Sequence, residues 1–319
     1  MSSISRRGYK KEEEEFLKGL VNNVIDQFFK EFKQQSSLIA PPKPPESDEE
    51  YSEYIWGFVA KNLSSFYQPG NPFVEDLVRE AAVRAKQLTA ELDLEPKLTP
   101  KLVTLALYDF VILCDDSSSM TTGNRIEVLE DTCQRVADIA TFLQPQGISL
   151  RFLNSSGNFD GLVHKEDIKK KVHSVQYDGV TQLGTMLQSK IIQPFIVDKI
   201  NTKNFTKPLI TIIITDGCPT IEHPTCLQEK VLQCKQILDK HDFEPAGAVF
   251  LISRVGSDSD AEEFLKGLKK DKKLREMIYC DVRQLDGQRA MFQRPGKDKA
   301  YTNRLIELCT NALDSQAKI

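Results

Sequence analysis

The chain has no apolar run long enough to cross a bilayer: the longest, around Leu209–Thr215, falls far short of the roughly 20 residues that a spanning helix needs. Met1–Lys11 is polar and basic and lacks the apolar stretch of a signal peptide. The 7 cysteines, an odd number, show no disulfide-framework spacing. These features predict a cytoplasmic protein in a reducing compartment, with its thiols buried as small apolar groups. A formal net charge of −4 provides no basic footprint for nucleic acid. Only 4 histidines are present, and His164, His173, His223 and His241 form no readable Ser/His/Asp set, so nucleophilic catalysis has no support. No Gly-x-x-x-x-Gly-Lys loop occurs, which removes the usual nucleotide site.

What is there is ordinary in bulk and particular in pattern. The 319 residues, 40% of them hydrophobic, suit one large α/β domain with a smaller appendage. The first hundred residues read as helical. Leu17, Leu20, Val21, Val24, Ile25, Phe28, Phe29 and Phe32 recur at i, i+3, i+4 and i+7. Pro41, Pro42, Pro44 and Pro45 then form an extended linker over 40–46. A second helix starts at Ser47, where Ser47 and Glu50 form a capping box, and a third at Asn71-Pro72. This region, 1–98, reads as a helical bundle packed on the main domain.

From about Lys101 the pattern changes to strands alternating with helices. Strands are expected at Tyr108–Cys114, Ile148–Leu153, Leu209–Thr215, Ala248–Ser253 and Met277–Val282, with a short edge strand at Phe159–His164. Helices are expected at Ile126–Leu143, Lys165–His173, Leu183–Ile200, Leu227–Lys240, Ala261–Lys269 and Tyr301–Leu313. Such alternation predicts a doubly wound α/β domain over 99–319, its mostly parallel sheet covered by helices on both faces. Ligands of such sheets sit beyond the carboxyl ends of the strands.

Three segments place oxygen-bearing side chains at those ends. Val111–Cys114 runs into Asp115-Asp116-Ser117-Ser118-Ser119; Asp178-Gly179-Val180-Thr181 precedes a helix; and Ile212–Thr215 ends in Asp216-Gly217. Hydroxyls with few direct carboxylates suit a hard cation such as Mg²⁺, which takes oxygen ligands at roughly 2.0–2.1 Å and stays electrophilic toward another molecule's acid.

In this order and spacing the segments resemble the von Willebrand factor type A family, which includes integrin I domains and many intracellular proteins. The family pattern is Asp-x-Ser-x-Ser, a threonine in a glycine-rich turn, then a strand ending Thr-Asp-Gly. The resemblance covers about Leu105–Leu313. It implies a metal-ion-dependent adhesion site of Asp115, Ser117, Ser119, Thr181 and Asp216, with the three hydroxyls touching Mg²⁺ or Mn²⁺ and the carboxylates acting mainly through water or hydrogen bonds. It implies a non-catalytic module whose protein partner presents an Asp or Glu. Ser118 stands where the family usually has glycine, and Val180 replaces the second of a glycine pair. Thr215–Pro219 and Leu274–Ile278 look most like intracellular fungal and other eukaryotic members.

Two other readings stand beside this one. Asp115-Asp116 after a strand suits metal-dependent phosphatase or phosphotransfer chemistry, although Ser117 occupies the position where an Asp-x-Asp enzyme keeps its acid/base. A scaffold assembling through the N-terminal helices is the third. Cys218, His223, Cys226 and Cys234 match common zinc spacings poorly.

Overall fold

A computed structural model describes residues 45–92, 98–143, 146–292 and 298–316. By packing the chain divides into Met1–Pro44 and Pro45–Ile319. The helix expected over 17–32 and most of the 40–46 linker lie outside the described residues.

The elements run α1 (Asp48–Asn62), α2 (Pro72–Leu92), α3 (Thr99–Leu105), β1 (Asp109–Cys114), a 3-10 turn (Ser118–Thr121), α4 (Arg125–Leu143), β2 (Ile148–Phe152), β3 (Phe159–Leu162) and α5 (Lys165–Ser174). Then come α6 (Leu183–Leu187), a π-helical stretch (Gln188–Val197), α7 (Asp198–Asn201), β4 (Leu209–Thr215), α8 (Cys226–Lys240), a 3-10 turn (Pro245–Gly247) and β5 (Ala248–Arg254). The chain ends with α9 (Ser259–Lys270), β6 (Ile278–Gln284), α10 (Leu285–Phe292) and α11 (Asp298–Gln316).

The sheet has 6 strands in the order β3-β2-β1-β4-β5-β6. All neighbours pair parallel except the β2–β3 edge. The expected α/β class with a mostly parallel sheet is therefore what the chain adopts. Its β-branched strands are buried on both sides because helices cover both faces. Alternation along β1 makes this visible: Phe110, Ile112 and Cys114 pack with α1–α5 and α11, while Val111 and Leu113 pack with α6, the π stretch, α8 and α9. Tyr51, Ile55 and Val59 of α1 and Val74 of α2 are part of the first of these two cores.

Both helix starts read from the sequence are capped as expected. Ser47 Oγ accepts from the Glu50 N–H at 3.2 Å, and Glu50 Oε2 accepts from the Ser47 N–H at 3.3 Å. Asn71 Oδ1 accepts from the Phe73 and Val74 N–H groups at 3.1 and 3.3 Å.

Four elements differ from expectation. The helix expected at Leu183–Ile200 carries a π-helical middle around Pro194, whose missing N–H and bulky ring disfavour regular α-turns. Tyr108 is not in β1, since its N–H closes a turn on the Leu105 carbonyl at 3.1 Å after the unanticipated α3. A further helix, α10, follows β6 directly, despite an interior Gly287 that weakened the helical pattern. Among the described residues no helix is long and apolar enough to cross a membrane.

Candidate functional site

The site lies where the strand order reverses, at the carboxyl ends of the adjacent strands β1 and β4. In β1 and β4 all six residues of Asp109–Cys114 pair in register with Leu209–Ile214. The Asp115 N–H extends that ladder by donating to the Ile214 carbonyl at 2.9 Å. Backbone pairing thus sets Asp115 beside Thr215 and Asp216, and open sheets bind ligands at this kind of crevice.

Asp115 is 1% exposed. One carboxylate oxygen accepts from the Ser117 N–H at 2.9 Å and the other from Thr215 Oγ1 at 2.6 Å. Burial pushes its carboxyl above the ordinary value; donors from Ser117 and Thr215 oppose the rise and the neighbouring Asp216 charge adds to it. Asp115 is therefore a held, desolvated acid.

Ser117 and Ser119 bracket the start of the 3-10 turn, and their hydroxyl oxygens stand 3.1 Å apart. Ser119 Oγ donates to Asp216 Oδ1 at 2.9 Å. Adjacent oxygens on an octahedron of roughly 2.0–2.1 Å radius are about 2.9 Å apart, so the Ser117–Ser119 spacing is compatible with two neighbouring hydroxyl ligands of one hard cation. Ser118 heads the 3-10 turn, which ordinary residues can adopt.

Thr181 is 5% exposed and comes from the loop before α6. Its N–H donates to Thr220 Oγ1 at 3.1 Å, and its carbonyl accepts from the Thr220 N–H at 2.7 Å. This two-way link ties the threonine loop to the segment following Asp216. The structure brings Asp115, Ser117, Ser119 and Asp216 into one hydrogen-bonded set, while Thr181 bonds to Thr220, four residues beyond Asp216.

Asp116 turns the other way. Fully buried, it accepts from the Asn154 N–H at 2.7 Å, Asn154 Nδ2 at 3.1 Å and the Ser155 N–H at 2.8 Å. Asn154 Oδ1 in turn accepts from the Val180 N–H at 3.3 Å. A Cβ at Gly179, with φ +102°, would sit 2.6 Å from that oxygen, so glycine is required there. Asp116 thus braces the threonine loop through Asn154. Lys190 on the π stretch completes the brace by donating to the Phe152 carbonyl and, at 2.6 Å, to the Ser155 carbonyl. Burial holds its ammonium pKa below the ordinary value.

Arg125, like Asn154, escaped sequence reasoning. Arg125 Nη1 pairs with Asp216 Oδ2 and donates to the Ser119 carbonyl at 3.1 Å. The available signal was a cation as the first residue of α4, where the helix dipole disfavours positive charge.

The donor set is oxygen only, two carboxylates and three hydroxyls, and suits Mg²⁺ or Mn²⁺ over zinc. Among the described residues no three His, Cys, Asp or Glu side chains gather as a metal cluster. Cys234 is buried in the core, and His223 Nδ1 engages Thr225 at 2.7 Å, so the sulfur and imidazole groups near β4 do not converge.

No family model matches the chain, and no curated protein matches it. Among solved structures it is similar to proximal thread matrix protein 1 from the mussel byssus, with 17% identity and a TM-score of 0.40. That match covers 64% of this chain and spans about half the length of the other, 47%.

Proposed function

We propose that the chain is a von Willebrand factor type A protein of the intracellular kind, a non-enzymatic module that captures an acidic protein partner through Mg²⁺ or Mn²⁺ at the β1–β4 edge. The observation that carries this reading is the convergence of Ser117, Ser119 and Asp216 oxygens at 2.9–3.1 Å beside a buried, doubly held Asp115. Ser117, Ser119 and Thr181 would hold the cation through their hydroxyls, while Asp115 and Asp216 orient those hydroxyls and balance charge. When bound, the cation supplies an electrophile whose coordination a partner's Asp or Glu completes. All 7 cysteines are unpaired, which supports a reducing, cytoplasmic setting. The acidic balance and the absence of a long apolar helix among the described residues favour neither nucleic acid nor membrane as partner.

Calorimetric titration of Mg²⁺ and Mn²⁺ into chelator-treated protein tests this, beside a Ser117→Ala/Ser119→Ala variant. Saturable binding by the native chain, lost in the folded variant, is expected. A well-folded native chain that takes up neither ion would sink the proposal, and phosphate release from aryl phosphates that depends on Asp115 would replace it with an enzyme.

A further inference from the structure

Arg125 sits in a built seat. Its guanidinium pairs with one oxygen of Asp216, while Ser119 Oγ donates to the other at 2.9 Å. The same nitrogen reaches the Ser119 carbonyl at 3.1 Å. The third wall is Gly256, just after β5, whose φ is +74° and where a Cβ would lie 2.6 Å from Arg125 Nε. The Gly256 N–H is anchored on Asp286 Oδ1 at 2.9 Å. The Arg125 side chain is 18% exposed and that of Asp216 1%, so the pair is largely desolvated. A cation at the head of α4 works against the helix dipole, so Asp216 and this seat must hold it there.

A divalent ion among Ser117, Ser119 and Thr181 would need the same Asp216 charge that Arg125 uses, and two cations sharing one carboxylate repel. We propose that Arg125 is an internal counter-cation: it neutralises Asp216 in the metal-free protein, yields to the incoming ion, and thereby sets how weakly the site binds metal. This rests on the metal-site reading above and adds a residue to it. Arg125 is no ligand; it acts through Asp216. Arg125→Gln removes the charge but keeps a donor. Gly256→Ala leaves every oxygen ligand in place and pushes the guanidinium off its seat.

Mn²⁺ and Mg²⁺ are titrated into chelator-treated native protein, Arg125→Gln, Gly256→Ala and Ser117→Ala/Ser119→Ala, and urea unfolding of each is followed without metal. Arg125→Gln is expected to bind at least tenfold more tightly than native, with Gly256→Ala between them, and both to be less stable than native when metal-free. Binding by Arg125→Gln alone, with none by native protein, overturns both, since the native site then takes no metal. Native binding that Arg125→Gln equals or weakens overturns this inference and leaves the metal site standing. No binding by any folded variant overturns both. If Arg125→Gln does not fold, Gly256→Ala decides by the same comparison.

Discussion

Ile221 is a β-branched residue held at φ +59°, where such side chains are strained, and it stands 78% exposed. Its neighbours explain how it stays there. Thr220 is tied to Thr181 on one side, and Glu222 on the other accepts from the Gly184 and Thr185 N–H groups at 2.9 and 3.0 Å. Ile221→Asn, a residue better tolerated at positive φ, relieves that strain without glycine's added chain entropy, and urea unfolding is expected to show a gain of up to about 1 kcal/mol. An unchanged or lowered midpoint would mean the pinned loop carries no strain. At this scale the sequence was legible in part. The five oxygen-bearing residues were named from a family resemblance, and four of them, Asp115, Ser117, Ser119 and Asp216, meet in one hydrogen-bonded set. The direction of Asp116 could not be read, because two adjacent acids look alike until the pleat sends successive side chains to opposite sides. Arg125 and Asn154 were hidden for another reason: each meets its partner across the fold, at separations of 91 and 38 residues.

Among elements, those defined by local chemistry were read closely. The bounds of β4 agree with expectation residue for residue, since seven consecutive apolar or β-branched residues between polar turns allow little else. The starts of α1 and α2 were fixed by their caps. What escaped were elements whose cause is tertiary: α3 and α10 carry weak periodicity of their own and are held by the core. Glu244 shows such a tertiary tie. It accepts hydrogen bonds from both hydroxyls of Ser64 and Ser65 and from the Ser65 N–H at 3.1 Å, joining the end of α1 to the turn before β5. Partial burial pushes its carboxyl up, but the serine donors outweigh it and hold the pKa below the ordinary 4.5. A lowered folded-state pKa gives stability that is complete above the ordinary value and lost as pH falls through the folded one. Glu244→Gln is therefore expected to lose about 1 kcal/mol near neutral pH and to unfold less steeply below about pH 4.5. Parallel acid-unfolding curves for native and variant would refute this.

For the whole molecule, the proposed site stands on strands of the core, so metal binding there is expected to register in global stability. At a hundredfold excess of Mg²⁺ over its dissociation constant, binding to the folded state alone adds about 2.7 kcal/mol. The melting temperature of chelator-treated protein should rise with added Mg²⁺, and that of Ser117→Ala/Ser119→Ala should not. A rise of equal size in both would place the ion elsewhere. The α/β class was legible because strand and helix periodicities alternate cleanly from β1 onward. The reach of the core was less so: the helices before residue 99 are packed into the same apolar cluster as the sheet, as Tyr51, Ile55 and Val59 show. Truncations that cut into α1 therefore remove core, and Ile55→Ala alone falls in a class that costs about 2–5 kcal/mol.

The in-register pairing of β1 with β4 also gives the site a timescale. Asp115 and Asp216 continue two central strands, whose amides exchange with solvent only when the sheet itself opens. Thr181 arrives on a loop outside the sheet ladder, held by a few bonds to Asn154 and Thr220, and such segments open more often. In a deuterium-exchange time course the two acids' strands are expected to behave as the slow hand and the threonine loop as the fast one. A ligand drawing all five residues together would slow only the latter.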